Sequence, residues 1–270
     1  MRTVRNKAFT LLELLMVIML IVIVMTLVVL SVIRMTTGGH YVKCNSNIRQ
    51  IITGLTHYDN ECDEMPRVPT SDWNVRIGTN LKSNPFTGTR SYNHSANLWL
   101  LAREDCVALS AFVCPATTDV KSDYQPLDRY WDFASSRNIS YGIQSPYGYG
   151  DSLSRLLPEG VVLVADGSPY VQSSEADDPG KIDPLRTVVN WGDGTWSDEK
   201  KRLYGNSPNH NSEGQYVGYL DGSASWRTAA NCGRNADNIY AASNHKTKTS
   251  AGGLLREGVK NSENDTLILP

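Results

Sequence analysis

Glu13 is an acidic residue inside a long apolar segment near the N-terminus. A carboxylate in an apolar helix costs about 2.5–3.5 kcal/mol to insert into a membrane, and such groups usually have a partner and a function. If the chain were cut between Ala8 and Phe9, Phe9 would carry a new α-amino group near the same helix face as Glu13. In an assembly of such helices, that amine would pair with Glu13 of another subunit. The alternative interpretation places Glu13 at the level of the lipid headgroups, where it is merely tolerated.

A second set of chemically capable residues, His210, Asp221 and Ser223, lies towards the C-terminus. These residue types can form a hydrolytic triad. However, Asp221 and Gly222 form a dipeptide typical of a tight turn, in which Asp tolerates positive φ. We therefore expect His210 to make a loop hydrogen bond rather than to act in catalysis or bind a metal. The G-x-S-x-G, H-E-x-x-H and phosphate-loop motifs are absent from the sequence, which predicts a protein that is not an enzyme.

The chain contains five cysteines, and an odd number leaves at least one thiol free or paired between molecules. Cys106 and Cys114 would close the most natural short loop, and a pairing of Cys44 with Cys62 is the alternative. The fifth cysteine is Cys232. Because no C-x-x-C pair occurs, the sequence predicts no structural zinc site.

Hard oxygen donors, the ligands that calcium prefers, are concentrated in the polar stretch 173–202. The aspartates among them are Asp177, Asp178, Asp183, Asp193 and Asp198. Their spacing does not match an EF-hand, so we expect a solvated surface loop and no cofactor, with calcium as the one candidate ligand.

The segment that carries Glu13 must be a helix in an apolar environment. Residues 9–33 are apolar except for two threonines, one serine and Glu13, and a helix of this length rises about 37 Å, enough to cross a bilayer. Arg2, Arg5 and Lys7 precede it, which predicts a cytoplasmic N-terminus. The run is longer than the roughly 7–15 apolar residues of a signal peptide and lacks an Ala-x-Ala site, so we expect a membrane anchor.

The helix is expected to continue into a soluble head. Gly38 and Gly39 should loosen or interrupt it, either as a flexible joint or as a surface kink. Apolar residues then recur at spacings of three and four between Ile48 and Tyr58, which predicts a second half over residues 34–60, ending near Asn60.

Beyond this helix the pattern is mostly that of short strands. A second helix is predicted over 96–103 with Ser95 as its N-cap. Strands are predicted at 108–113, 161–165, 186–191, 215–220 and 223–227. The last two should form a hairpin with a two-residue turn at Asp221-Gly222. These elements make an antiparallel sheet covered by the long helix, an α+β head over 61–255, and residues 256–270 form a poorly ordered tail.

The net charge of −2 argues against nucleic-acid binding, which needs a basic face.

The stretch KAFTLLELL, residues 7–15, resembles the leader of type IV prepilins and type II secretion pseudopilins. The resemblance implies that a prepilin peptidase removes the basic leader, residues 1–8, and that Phe9 is then N-methylated. It also implies that Glu13 acts in assembly. The family usually has Gly before the cut, where this chain has Ala8.

Further stretches are similar to a large planctomycete-type branch of these proteins: CNSNIRQI at 44–51, NLWLL at 97–101, FVCP at 112–115 and the segment 207–223 with His210, Asp221 and Gly222. The resemblance implies a pilin-like fold, in which a long N-terminal helix packs on an antiparallel sheet.

We therefore expect a structural pilin-like subunit of a type II secretion or type IV pilus-like system. Its partners would be further copies of itself, other pilin-like subunits, the prepilin peptidase, the inner-membrane assembly machinery and the lipid bilayer. It would cross the bacterial inner membrane once, with the head in the periplasm. The alternative is a membrane-tethered extracytoplasmic binding or adhesion module, with aromatic residues in loops as contact candidates.

Overall fold

The computed structural model describes residues 10–69, 82, 84–87, 94–146, 160–169, 197–240, 266 and 268–269. The chain divides into two compact units, Met1–Val42 and Lys43–Pro270. A single 52-residue helix, α1 (Leu11–Cys62), belongs to both. The single helix agrees with the predicted continuation into the head, and the helical assignment runs through Gly38 and Gly39, where the sequence predicted loosening or an interruption.

The first unit contains the apolar part of α1. Its large hydrophobic side chains from Leu11 to Val29 are all exposed, by 47–83%. This segment is long and apolar enough to span a membrane or to act as a signal sequence.

In the second unit, α1 buries one face. Ile48, Ile51, Ile52 and Leu55 are at most 1% exposed, as their helical spacing predicts. The helix ends at Cys62, slightly later than expected, and Asp63 follows in the left-handed conformation with φ 57°.

Helix α2 (Ser95–Arg103) is confirmed, but Ser95 is not its N-cap. His94 holds that position, and Ser95 instead donates a 2.6 Å hydrogen bond from Oγ to Asp132 Oδ1. The helix is buried because Trp99 packs edge-on against Phe133, with ring centroids 5.0 Å apart.

A five-stranded antiparallel sheet lies in the second unit, in the order β4-β3-β2-β1-β5. Its strands are β1 (Tyr141–Gln144), β2 (Val162–Asp166), β3 (Gln215–Tyr219), β4 (Ala224–Arg227) and β5 (Ile268–Leu269).

The strands β2, β3 and β4 confirm predicted strands, whereas β1 and β5 were not predicted. The predicted strand at 186–191 lies outside the described residues. The architecture is therefore mixed helix and antiparallel sheet, as an α+β fold requires.

The β3–β4 hairpin has a three-residue loop rather than the predicted two. Gln215 pairs with Arg227 and Gly218 with Ala224, so the loop is formed by Leu220, Asp221 and Gly222. The positive φ falls on Gly222, at 83°, while Asp221 accepts a 2.8 Å hydrogen bond from the Ser223 backbone N–H. A type I turn followed by a left-handed glycine explains this length.

Three other predictions are wrong. Residues 108–113 contain a 3₁₀ helix, Leu109–Phe112, because Leu109 and Phe112 are three residues apart and both turn inward. Helix α3 (Asp198–Gly205) lies partly within the predicted loop 173–202, and Ser197 caps it by accepting from Lys200 N–H. Within the segment predicted to be a poorly ordered tail, Ile268 and Leu269 are fully buried in β5.

Gly218 lets β3 approach α1 closely, since a Cβ there would overlap the side chains of Ile48 and Ile52. We expect Gly218→Ala to lower the free energy of unfolding by about 1–3 kcal/mol through overpacking. Chemical denaturation of the full chain in detergent, followed by Trp fluorescence, measures the change. Gly39→Ala is the matched control, because a Cβ there meets open space. Equal stability of the Gly218→Ala and wild-type proteins would contradict this packing.

Candidate functional site

The sequence-predicted assembly residue, Glu13, lies in the first turn of α1 and takes part in a capping box. Thr10 Oγ1 accepts from the Glu13 backbone N–H at 3.2 Å, and Glu13 Oε2 accepts from Thr10 N–H and Oγ1 at 2.9 and 3.0 Å. This is the reciprocal pattern of a T-x-x-E helix start. The carboxylate therefore stabilises the helix start within its own chain. The cleavage residues Ala8 and Phe9 lie outside the described residues.

The structure separates the two parts of the His…Asp-Gly motif. Asp221 and Gly222 occupy the exposed β3–β4 loop. His210 ends a 3₁₀ helix (Pro208–His210) and is only 2% exposed. Its Nε2 lies 3.5 Å from Oδ2 of Asp166, a residue that the sequence did not single out.

His210 belongs to a buried cluster drawn from distant parts of the chain. Cys44 comes from α1, Cys114 follows the 3₁₀ helix 109–112, and Asp166 ends β2. One ligand atom each of Cys44, Cys114 and His210 lies within 4.8 Å of the other two. His210 Nε2 lies 3.7 Å from Cys114 Sγ and 3.5 Å from Asp166 Oδ2. Cys44, Cys114 and Asp166 are 0% exposed.

Backbone and amide donors hold Asp166 in place. Its Oδ2 accepts a 2.7 Å hydrogen bond from Tyr216 N–H, and its Oδ1 accepts a 3.1 Å bond from Asn209 Nδ2. Asn209 also donates to the Ser140 carbonyl at 2.7 Å. These bonds tie the strand that carries Asp166 to the loop that carries His210.

Aromatic rings fix the orientation of His210. The indole of Trp226 lies edge-on to the imidazole with centroids 5.3 Å apart, and the ring of Tyr216 does so at 5.9 Å. Asn211 and Ser212 follow with positive φ, so the chain turns sharply after His210 and returns as β3. The imidazole is thereby held with Nε2 directed at Cys114 and Asp166.

Burial and the contacts within the cluster shift the pKa values of its four groups in different directions. The hydrogen bond with Cys114 lowers the pKa of Cys44, and the same bond, together with burial, raises the pKa of Cys114. Burial raises the pKa of Asp166 to about 7, against the opposing charge of His210. Burial disfavours the His210 imidazolium, but Cys44 and Asp166 outweigh it and raise the pKa of His210.

The cysteines do not follow the predicted pairings. All five are free thiols, and Cys44 lies beside Cys114 rather than Cys62. Cys106 lies beside His57, with Sγ 3.6 Å from Nδ1. Sequence proximity suggested pairing Cys106 with Cys114, whereas packing of α1 on the head determines which thiols meet.

The calcium candidates remain predictions. Asp177, Asp178, Asp183 and Asp193 lie outside the described residues, and Asp198 lies in the first turn of α3. At that position an acidic side chain interacts favourably with the helix dipole.

Comparisons of the chain with protein-family models, with curated proteins and with solved structures yield no match. Function is therefore inferred from the residues and geometry of this chain itself. The buried cluster contains a thiol, an imidazole and a carboxylate, which are the groups of a thiol hydrolase. Its sulfur atoms have no exposed surface, so the arrangement suits a structural role better than turnover of a substrate.

We expect Asp166→Asn to lower the free energy of unfolding by about 1–3 kcal/mol, because an amide cannot accept hydrogen bonds from both Tyr216 and Asn209. Urea denaturation of the full chain in detergent gives the value. Asp221→Asn is the matched control, because it makes the same chemical change in an exposed turn where the amide oxygen can still accept a hydrogen bond from Ser223. This variant should change the free energy of unfolding by no more than about 0.5 kcal/mol. Similar losses for both variants would contradict the assigned role of Asp166.

Proposed function

We propose that this chain is a structural, non-enzymatic pilin-like subunit of a type II secretion or type IV pilus-like system. The observation that carries the proposal is the contrast between the two parts of α1. Its large hydrophobic side chains are exposed from Leu11 to Val29, whereas one face is buried in the head from Cys44 onwards. A helix that is apolar on all sides needs lipid or other helices around it.

Assembly would be driven by burial of the exposed apolar part of α1. Fully burying one large aliphatic side chain is worth about 1.5–3 kcal/mol, so packing many of them between subunits would offset the loss of the lipid environment. In the proposed arrangement the chain is first inserted in the inner membrane and is then extracted into a filament. The buried part of α1 on the antiparallel sheet supports the finer proposal of a pilin fold.

Arg2, Arg5 and Lys7 support a cytoplasmic N-terminus. The head would then be periplasmic, and the partners would be other copies of the chain, other pilin-like subunits, the assembly machinery and the prepilin peptidase. Ala8 precedes the proposed cut, and its small side chain stands where the related proteins usually have Gly.

Besides its proposed role in assembly, Glu13 has a local role in the capping box at the start of α1. Before assembly, its carboxylate accepts from Thr10 and stabilises the start of α1. During assembly, the Phe9 amine of a neighbouring subunit would compete for the same carboxylate. Since a capping carboxylate retains free lone pairs, one Glu13 could accept from both.

We expect the mature chain to begin at Phe9 with a methylated α-amino group when a prepilin peptidase is active. Mass spectrometry of the N-terminal peptide from purified membranes measures this. Ala8→Gly should be processed at least as completely as the wild type, because it restores the usual residue before the cut. A wild-type chain that still begins at Met1 in such cells would contradict the proposal.

Two variants separate the roles of Glu13. Glu13→Gln keeps an oxygen acceptor for the capping box and removes the charge, whereas Thr10→Ala removes the cap and keeps the charge. We expect Glu13→Gln to abolish assembly and Thr10→Ala to preserve it, because pairing with the amine depends on charge.

Sheared-filament yield measures assembly in both variants, and membrane fractionation serves as the control for insertion. Both variants should remain in the membrane fraction. Normal filaments from Glu13→Gln, or loss of filaments only from Thr10→Ala, would show that helix capping is what matters at this position.

A further inference from the structure

The cluster of Cys44, Cys114, His210 and Asp166 has the composition of a metal site. We propose that Cys44, Cys114 and His210 bind one Zn²⁺ ion inside the head, and that the Asp166 carboxylate, 3.5 Å from His210 Nε2, supplies the fourth ligand. Two thiolates, one imidazole and one carboxylate are all ligands that zinc accepts in four-coordinate structural sites. The proposal does not depend on the filament role, since all four residues lie within the second unit.

Two distances within the cluster match edges of a tetrahedral zinc site. With Zn–S about 2.3 Å, Zn–N about 2.05 Å and Zn–O about 2.0 Å, tetrahedral angles separate S from N by about 3.6 Å and N from O by about 3.3 Å. The corresponding distances are 3.7 Å from Cys114 Sγ to His210 Nε2 and 3.5 Å from His210 Nε2 to Asp166 Oδ2. The two distances share Nε2. Cys44, Cys114 and His210 place three ligand atoms within 4.8 Å of one another, and the Asp166 carboxylate would close on the ion from its position beside Nε2.

The surroundings orient the ligands. Tyr216 N–H and Asn209 hold the Asp166 carboxylate, and aromatic rings hold the imidazole of His210. Hydrogen bonds to a ligating carboxylate and a fixed ring orientation are typical of the outer shell of a metal site. The hydrogen bonds and ring contacts therefore hold the ligand side chains in position before an ion binds.

Charge favours a cation at this position. The Asp166 carboxylate is fully buried beside two buried thiols, and a buried negative charge is costly unless it is compensated. A bound cation would compensate the carboxylate and stabilise both thiols as thiolates. Ligation requires two thiolates and a neutral imidazole, so binding of Zn²⁺ releases to solvent the protons that these groups still carry. The ion, two thiolates and one carboxylate then sum to one net negative charge. Zinc is favoured over magnesium or calcium because thiolates are soft ligands.

A disulfide between Cys44 and Cys114 is the competing state of the same thiols. It would join the two sulfurs and use neither His210 nor Asp166, whereas a zinc ion accounts for the convergence of all four groups. The site would fasten α1 to β2 and to the loop before β3, so zinc should stabilise the head.

The test is the metal content of the full-length protein, purified in detergent without chelators and measured by mass spectrometry of the elements. We expect about one zinc per chain. Cys44→Ser and Cys114→Ser should each reduce zinc content at least about tenfold. Cys62→Ser, at an exposed cysteine on the same helix, is the matched control and should retain the zinc.

Cobalt binding to the wild-type chain keeps the test independent of whether the variants fold. After removal of zinc, added Co²⁺ should give the intense visible bands of a tetrahedral site together with a thiolate charge-transfer band. Added zinc should abolish both and raise the unfolding temperature.

Absence of zinc together with absence of these cobalt bands would overturn the proposal. So would peptide mapping that finds Cys44 and Cys114 joined with the loss of two hydrogen atoms. Equal zinc loss in Cys62→Ser and Cys44→Ser would place the metal elsewhere and overturn it as well.

Discussion

The proposed function and the packing of the head both depend on helix α1. It is one continuous helix, yet the large hydrophobic side chains from Leu11 to Val29 are exposed while those from Ile48 to Leu55 are buried. No described residue covers the first part, whereas the second part contributes to the core of the head. The proposed function follows from this division, because a subunit with such a helix is stable only when something apolar surrounds the first part.

The head holds α1 through close contacts of several kinds. Gly218 allows Ile48 and Ile52 to lie directly on β3. Asn47 reaches in from the same helix to donate to the Val113 carbonyl and to the Tyr141 hydroxyl. Cys44 adds a thiol to the buried polar group around His210 and Asp166. Apolar packing therefore gives the head cohesion, and the polar groups fix where the helix sits on the sheet.

Much of this arrangement can be predicted from local patterns. The apolar period of residues 48–58 gave the buried face of α1, and alternating or continuous apolar runs gave β2, β3 and β4. β1 and β5 were missed because Tyr141–Gln144 and Ile268–Leu269 are too short to show a period. Their burial depends on pairing between residues more than a hundred positions apart.

The buried cluster could be predicted only in part. Cys44 lies four residues before Ile48 and so continues the apolar face of α1, and Asp166 directly follows an apolar strand. Each position was therefore readable as buried. That Cys44, Cys114, Asp166 and His210 meet depends on packing of four separate segments, which no spacing rule encodes. The absence of a C-x-x-C motif therefore could not indicate whether these four residues lie together.

In the proposed function, the exposed part of α1 is surrounded first by lipid and then by other copies of the same chain. Site-specific photo-crosslinking from Val22, an exposed residue within this part, tests it most directly. We expect crosslinks to lipid in cells without the assembly machinery and crosslinks to a second copy of the chain in cells that possess it. A full-length chain in the soluble fraction, crosslinked at Val22 to neither, would rule out the proposed function.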